Sequence, residues 1–225
     1  MAVAFESSSS GKDETGTSDN ASAASVNGNV TNPIVIAFVG YRNNASQTVN
    51  GVTHNGGAMT AIGSLVSSGG GSIAAYYRVG TSTTGNVVAT LSAAAPQIHV
   101  LALVFSGVDQ GTPIGTHATS NSGGVDVTTT STSSVTSAAD GMCVDGLLCR
   151  AAATLITPDE GQTEREAEST AASIFSRAST EAGAASVTMG WTWTGATRYG
   201  HIVVPLLAAA AAGASAKRNL LLGVG

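Results

Sequence analysis

Four histidines carry the side chains best suited to acid–base or metal chemistry, but their positions favour neither role. No two of them stand at the spacing of metal ligands. His99 shares one strand face with Leu101, Leu103 and Phe105, which predicts a core or rim histidine with satisfied hydrogen bonds. His54 precedes an Asn-Gly pair and is expected in a solvated turn. His117 and His201 are isolated in the sequence.

Nucleophile motifs and the two cysteines give no sign of catalysis either. Neither Gly-x-Ser-x-Gly nor Ser-x-x-Lys occurs in a convincing context. Cys143 and Cys149 would lie ~20 Å apart on one extended strand, at about 3.3 Å per residue, and a disulfide cannot bridge that distance. We therefore predict two buried thiols, no catalytic residue, no metal and no cofactor.

A group of carboxylates in the second half of the chain could in principle attract calcium. Its pattern is not that of a calcium-binding loop of the EF-hand type. We interpret it as a solvated, charged strand edge that resists wrong strand pairing. The group consists of Asp159, Glu160, Glu164, Glu166 and Glu168.

Aromatic side chains on strands could stack on sugars. Trp191 and Trp193 share one strand face, which we expect to point inward with Val187 and Met189. Tyr76 and its neighbour Tyr77 must point to opposite faces of their strand. If the protein binds glycans, Tyr77 and Trp193 are the predicted contacts.

The elements that must position these residues follow a β pattern. The apolar run at 34–41 predicts a strand covered on both faces, and residues 98–105 are the strongest predicted strand of the chain. Segments 49–53 and 58–62 form a predicted hairpin across an Asn-Gly-Gly turn. Residues 171–177 could be helical. About ten short strands with regular turns predict an all-β, antiparallel, jelly-roll-like β-sandwich over residues 1–207, without a visible internal repeat.

Composition narrows the possible partners. The chain has 225 residues, of which only 10% are charged, and a formal net charge of −5. Nucleic acid is not an expected partner, because phosphate binding needs clustered Lys and Arg. A membrane span is not predicted, because the apolar run at 202–212 is too short and contains Pro205. No export signal is indicated.

Residues 208–225 differ from the rest of the chain. An alanine run is followed by a polar stretch and then by an apolar end. This extended apolar tail could be locally packed or unstructured, or it could be an arm that docks on a neighbouring subunit. The predicted assembly contacts of such an arm are Leu220, Leu221, Leu222 and Val224.

Six segments of the chain carry a resemblance when they are taken in order. The most specific is Phe105-Ser-Gly-Val-Asp-Gln110, which continues to residue 115. The other segments are 34–43, 52–60, 73–79, 161–165 and 187–193. Together they cover roughly residues 5–207 and resemble a largely uncharacterised family of β-sandwich proteins seen in tailed phages and bacteria. The resemblance does not extend to the tail.

The resemblance implies a jelly-roll-like scaffold with no known catalytic residues, found among virion components. We therefore expect a non-enzymatic phage structural protein, foremost a capsid decoration or cement protein. Its expected partners are the major capsid protein or other virion subunits, together with further copies of itself. It would be made in the host cytoplasm and reside on the capsid surface or tail. The alternative is a carbohydrate-binding module of a tail fibre or adhesin.

Overall fold

The computed structural model describes residues 1–14, 20–23, 30–42, 47–67, 70–80, 84–130, 133–150, 153–170 and 173–210. These residues form an all-β protein, and no helix occurs among them. The first nine strands are β1 Ala4–Asp13, β2 Asn20–Ala23, β3 Ile34–Arg42, β4 Val49–His54, β5 Gly57–Ala58, β6 Thr60–Ser67, β7 Gly71–Val79, β8 Val87–Leu91 and β9 Ile98–Ser106.

Ten further strands follow in the second half of the chain. They are β10 Ala118–Asn121, β11 Val127–Thr129, β12 Ser133–Val135, β13 Met142–Arg150, β14 Thr154–Pro158, β15 Thr163–Thr170, β16 Ile174–Ala182, β17 Val187–Met189, β18 Trp191–Thr197 and β19 Tyr199–Leu206.

The strands build two β-sandwiches whose five-stranded sheets have equivalent strand orders. In the first, a sheet of order β1-β9-β3-β7-β6 packs on a sheet of order β2-β8-β4-β5. In the second, a sheet of order β10-β19-β13-β16-β15 packs beneath β11-β18-β14 and the pair β12-β17. Each half has the strand order of a jelly roll with one added edge strand. The β-sandwich prediction is confirmed, and the fold contains a repeat that was not visible in the sequence.

The two jelly rolls, hereafter the first and second roll, stack through their five-stranded sheets. The central core contains Ile36 and Leu103 from one roll and Val144 and Ile202 from the other. A second core lies inside the first roll, and two smaller cores lie inside the second. The molecule is therefore a stack of four layers with apolar side chains between each pair.

Two reciprocal contacts mark the centre of the stack. The ring of Phe38 lies against Gly146, and the side chain of Leu148 lies against Gly40. Since β3 and β13 are equivalent strands, each places a large side chain over a glycine of the other. The paired backbones can approach closely because neither glycine has a Cβ atom.

The strongest strand predictions are confirmed. Both β3 and β9 form, and β3 is buried along almost its whole length, as its apolar run predicts. β9 is buried to the same extent. The predicted hairpin turn also forms: Thr53 pairs with Ala58, and the two turn residues, Asn55 and Gly56, have positive φ. Such φ values fit the primed two-residue turns of hairpins. The predicted second strand is shorter than expected, because residues 60–62 pair with β7 in the other sheet.

Three local predictions are wrong. Residues 174–177, which fall in the possible helix, lie in β16, where pairing with β13 and β15 overrides weak helix propensity. His54 is fully buried rather than solvated, because it shares the inward face of β4 with Val52. Val187, Met189, Trp191 and Trp193 are expected on the face of one strand, but they belong to two strands, β17 and β18.

Candidate functional site

Asp145 is the most heavily hydrogen-bonded side chain inside the second roll. It lies in the middle of β13 and is fully buried. Its Oδ1 accepts hydrogen bonds from the backbone N–H of Ser179 at 2.9 Å and from the Ser179 hydroxyl at 2.7 Å. Its Oδ2 accepts one from Trp191 Nε1 at 2.7 Å. A charge in the middle of an apolar run was the sequence signal for this network, and the sequence analysis missed it.

His201 completes the Asp145 network from β19. Its Nε2 lies 2.8 Å from Asp145 Oδ2, and both side chains are fully buried. Its Nδ1 has no hydrogen-bond partner within the described part of the chain. Ser179 bonds the carboxylate and not the imidazole, so the three residues are not arranged in series as a nucleophile, a base and an acid. The arrangement holds β13, β16, β18 and β19 together.

Gln162 closes the Asp145 network toward the surface. Its Nε2 donates to Ser179 Oγ at 2.6 Å, while its Oε1 accepts from the backbone of Gly190 at 2.7 Å. The same short segment supplies Arg165, whose guanidinium lies 4.4 Å from the centre of the Phe5 ring. Residues 161–165 are one of the segments that carry the resemblance. Gln162 contacts the outer layer of the second roll at Gly190, and Arg165 joins β15 to β1.

His99 lies between the two rolls, where the sequence predicts a satisfied core histidine. It is fully buried, and its ring nitrogens lie 3.0 Å from Ser176 Oγ and 2.9 Å from Thr170 Oγ1. Burial lowers the pKa of His99 to about 4, so the ring is neutral at pH 7. The prediction is confirmed, and the role of the side chain is to join β9 to β15 and β16.

The remaining candidates for chemistry are structural. Both cysteines are buried free thiols, as predicted, and burial raises the pKa of Cys143 to about 12. Glu164, Glu166 and Glu168 lie on the edge strand β15, where Glu164 contacts Arg177 at 3.8 Å. Among the described residues, no three acidic, cysteine or histidine side chains converge to hold a metal ion.

The segment that carries the most specific resemblance, residues 105–110, joins the loop after β9 to the chain after β19. Asp109 Oδ1 accepts hydrogen bonds from the backbones of Gly111 and Thr112, both at 2.8 Å. These bonds lower the pKa of Asp109. The backbone of Asp109 donates to Leu207, and Ala209 donates back to Gly107. The loop after β9 therefore binds the chain that follows β19.

The aromatic residues of the glycan alternative differ in accessibility. Tyr77 is half-buried against the central core. Trp193 is only 5% exposed and donates from Nε1 to the carbonyl of Val127 at 2.8 Å. Both tryptophans face inward, as predicted for their strand face. Trp193 thus offers no open ring face in this fold.

The outermost surface of the second roll is lined by hydroxyl groups. Ser134 and Thr188 form one cross-strand hydroxyl pair, at 2.7 Å. Thr157 and Thr192 form another, at 3.0 Å. At one end of this face lies Leu155, whose side chain is 79% exposed. We call the exposed surface formed by β12, β14, β17 and β18 the hydroxyl face.

A cavity of about 140 Å³ opens on the first roll. Its lining includes Ala61 of β6 and Ala74 and Tyr76 of β7. Thr48 and Val49, at the start of β4, line it as well. None of its lining residues is charged, so it suits an apolar group.

The predicted assembly contacts Leu220, Leu221, Leu222 and Val224 lie outside the described residues. Within the described part, no helical segment has the length and apolar character needed to cross a bilayer. Comparison of the chain with protein-family models, with curated proteins and with solved structures finds no match.

Proposed function

We propose that this protein is a non-enzymatic structural component of a phage virion, foremost a capsid decoration or cement protein. The observation that carries the non-enzymatic part is the burial of the Asp145 network. Asp145, His201 and His99 are fully buried and hydrogen-bonded, and their partners join strands of the fold. These groups stabilise the stack of layers and do not face a substrate.

The fold supports a scaffolding role in a second way. Two stacked jelly rolls present large outer faces on opposite sides of one molecule. One outer face is rich in hydroxyl groups, and charged residues are only 10% of the chain. A surface of this kind suits contacts with neighbouring subunits. The virion part of the proposal rests on the resemblance of residues 5–207 to phage-associated β-sandwich proteins.

The tail gives the proposal a mechanism. The amino group of Met1 donates to the carbonyl of Ala209 at 2.9 Å, so the chain enters the tail beside the start of β1. We propose that the apolar side chains of residues 220–224 dock on a neighbouring virion subunit. Obligate contacts of cement proteins are expected to bury more than roughly 2,000 Å². An arm would extend the contact area beyond what the sandwich supplies.

The experiment is a titration of undecorated capsids with the purified protein, followed by light scattering and co-sedimentation. The proposal predicts saturable binding at a fixed ratio of copies to capsid subunits. Deletion of Leu220 to Gly225 should leave the fold intact and weaken particle binding. Equal binding by the truncated protein would contradict the arm mechanism, and no binding by the full chain would contradict decoration.

A further inference from the structure

Leu155 is an apolar side chain that the fold turns outward. It is 79% exposed, and its φ of 47° lies in the left-handed region that branched residues avoid. It sits in a bulge of β14, where the register with β18 shifts between Thr154 and Thr157. The next residue, Ile156, packs into the core of the second roll. The bulge therefore leaves the Leu155 side chain in solvent, while Ile156 keeps the strand anchored.

Two residues that line the cavity of the first roll differ in character from the residues at the equivalent positions of the second roll. Strand pairing makes Ala74 of β7 equivalent to Arg177 of β16. In the same way, Ala61 of β6 is equivalent to Glu164 of β15. In the second roll these two positions are filled by the contact between Glu164 and Arg177, at 3.8 Å. In the first roll two alanines leave the space open and uncharged.

We propose that the cavity receives Leu155 of a second copy of this chain. The cavity has a volume of about 140 Å³ and can hold a branched aliphatic side chain. Its lining residues include Thr48, Val49, Ala61, Gly63, Ala74 and Tyr76. The strand positions that flank Leu155 are also uncharged, since Thr154 and Thr157 of β14 pair with Thr194 and Thr192 of β18. None of these named residues carries a charge that the contact would leave buried and unpaired.

The occupant must come from another molecule. Leu155 lies in the outer layer of the second roll, and the cavity lies on the outer side of the five-stranded sheet of the first roll. Both five-stranded sheets and the central core separate the two. The contact is therefore head-to-tail, because each copy offers a leucine at one end and a cavity at the other. Repeated contacts of this kind produce a ring or an open chain of copies.

This inference deepens the proposed function, because it names the self-contact of a scaffold that we propose to be homo-oligomeric. It can nevertheless be tested without a virus particle. Sedimentation velocity over a wide concentration range measures self-association of the full chain alone. Wild-type protein should show a mass that rises with concentration. Failure to bind capsids would contradict decoration and would leave this self-contact untouched.

Two variants remove opposite halves of the contact. Leu155→Asn removes the apolar side chain and suits the left-handed backbone, so the fold should be at least as stable. The double variant Ala61→Glu/Ala74→Arg fills the cavity with the ion pair that occupies the equivalent place in the second roll. Each change should weaken self-association at least tenfold. Val125→Asn, at another exposed apolar residue, is the matched control and should have no effect.

Mixing the two variants distinguishes this contact from any other. The Leu155→Asn chain keeps its cavity and the double variant keeps its leucine, so a fluorescently labelled mixture should form one-to-one dimers and nothing larger. Monomeric wild-type protein at every concentration, or no dimer in the mixture, would overturn the proposal. So would self-association that survives Leu155→Asn and disappears on deletion of residues 211–225, because the tail would then be the occupant.

Discussion

At the level of single residues, Asp145 shows how a buried charge can organise a β-fold. A buried carboxylate is costly unless hydrogen bonds satisfy it. Asp145 receives donors from Ser179, Trp191 and His201, which lie on three different strands. The equivalent position in the first roll is Ala37, which is simply packed in an apolar core. At this position the interior of the first roll is therefore apolar, whereas that of the second roll is held by hydrogen bonds.

The first prediction concerns this carboxylate. Asp145→Asn would replace one carboxylate oxygen by an NH₂ group. At least one of the three donors from Ser179, Trp191 and His201 would then lack an acceptor. The free energy of unfolding should fall by about 3 kcal/mol, as measured by urea denaturation. The matched control is Asp126→Asn at a surface ion pair with Arg198, with an expected change below about 0.5 kcal/mol. Equal effects of the two changes would show that the network is not structural.

The second prediction concerns the pH dependence of stability through His99. Its pKa is about 4 in the folded state, lowered by burial from 6.5. Glu168 and Glu14 raise this pKa, whereas Lys12 and Arg177 lower it. Because the unfolded chain takes up the proton first, the His99 contribution is fully present above pH 6.5. It is lost as the pH falls toward 4, and the loss is roughly 3 kcal/mol at most.

Denaturation curves at several pH values check this sign. His99→Gln should unfold with a smaller loss of stability between pH 6.5 and 4 than wild type. The difference between the two proteins isolates His99 from the carboxylates that titrate in the same range. Parallel pH profiles would contradict the assignment.

At the scale of elements, the contact between β3 and β13 depends on alternating large and small side chains. A Cβ atom at Gly146 would collide with the ring of Phe38. We expect Gly146→Ala to destabilise the fold by about 1–3 kcal/mol through overpacking. A second change, Phe38→Leu, should recover part of that loss, so the double variant is more stable than additivity predicts. Gly51→Ala, where a Cβ meets open space, is the control.

Strands were predicted best from the sequence where a run of apolar side chains is buried in the fold. The apolar runs of β3 and β9 identify strands, and that of β3 also predicts a strand covered on both faces. The alternation at residues 187–193 correctly placed both tryptophans inside. The prediction of a possible helix at 171–177 failed, because residues 174–177 pair with both β13 and β15 and their local helix propensity is weak. The bulge at Leu155 gave no signal, since a positive φ at leucine depends on pairing with β18.

At the scale of the whole molecule, the two jelly rolls share one central core. The repeat was not visible in the sequence because equivalent positions hold different residues, such as Ala37 and Asp145 or Phe38 and Gly146. What the rolls share is the order of strands and the inward pattern of apolar side chains. These features depend on contacts between residues that are distant in the chain.

The shared core predicts a single unfolding transition. Both tryptophans lie in the second roll, so their fluorescence reports that roll alone, whereas far-ultraviolet circular dichroism reports both rolls. The two signals should change at the same urea concentration. Separate midpoints would show that each roll is stable by itself and that the central core contributes little.

The central claim is that this chain is a structural part of a phage particle. Quantitative mass spectrometry of phage particles purified from the source that encodes the chain tests this proposal most directly. We predict that the protein is present at a fixed number of copies relative to the major capsid protein. Its absence from purified virions, when it is abundant in infected cells, would contradict the claim.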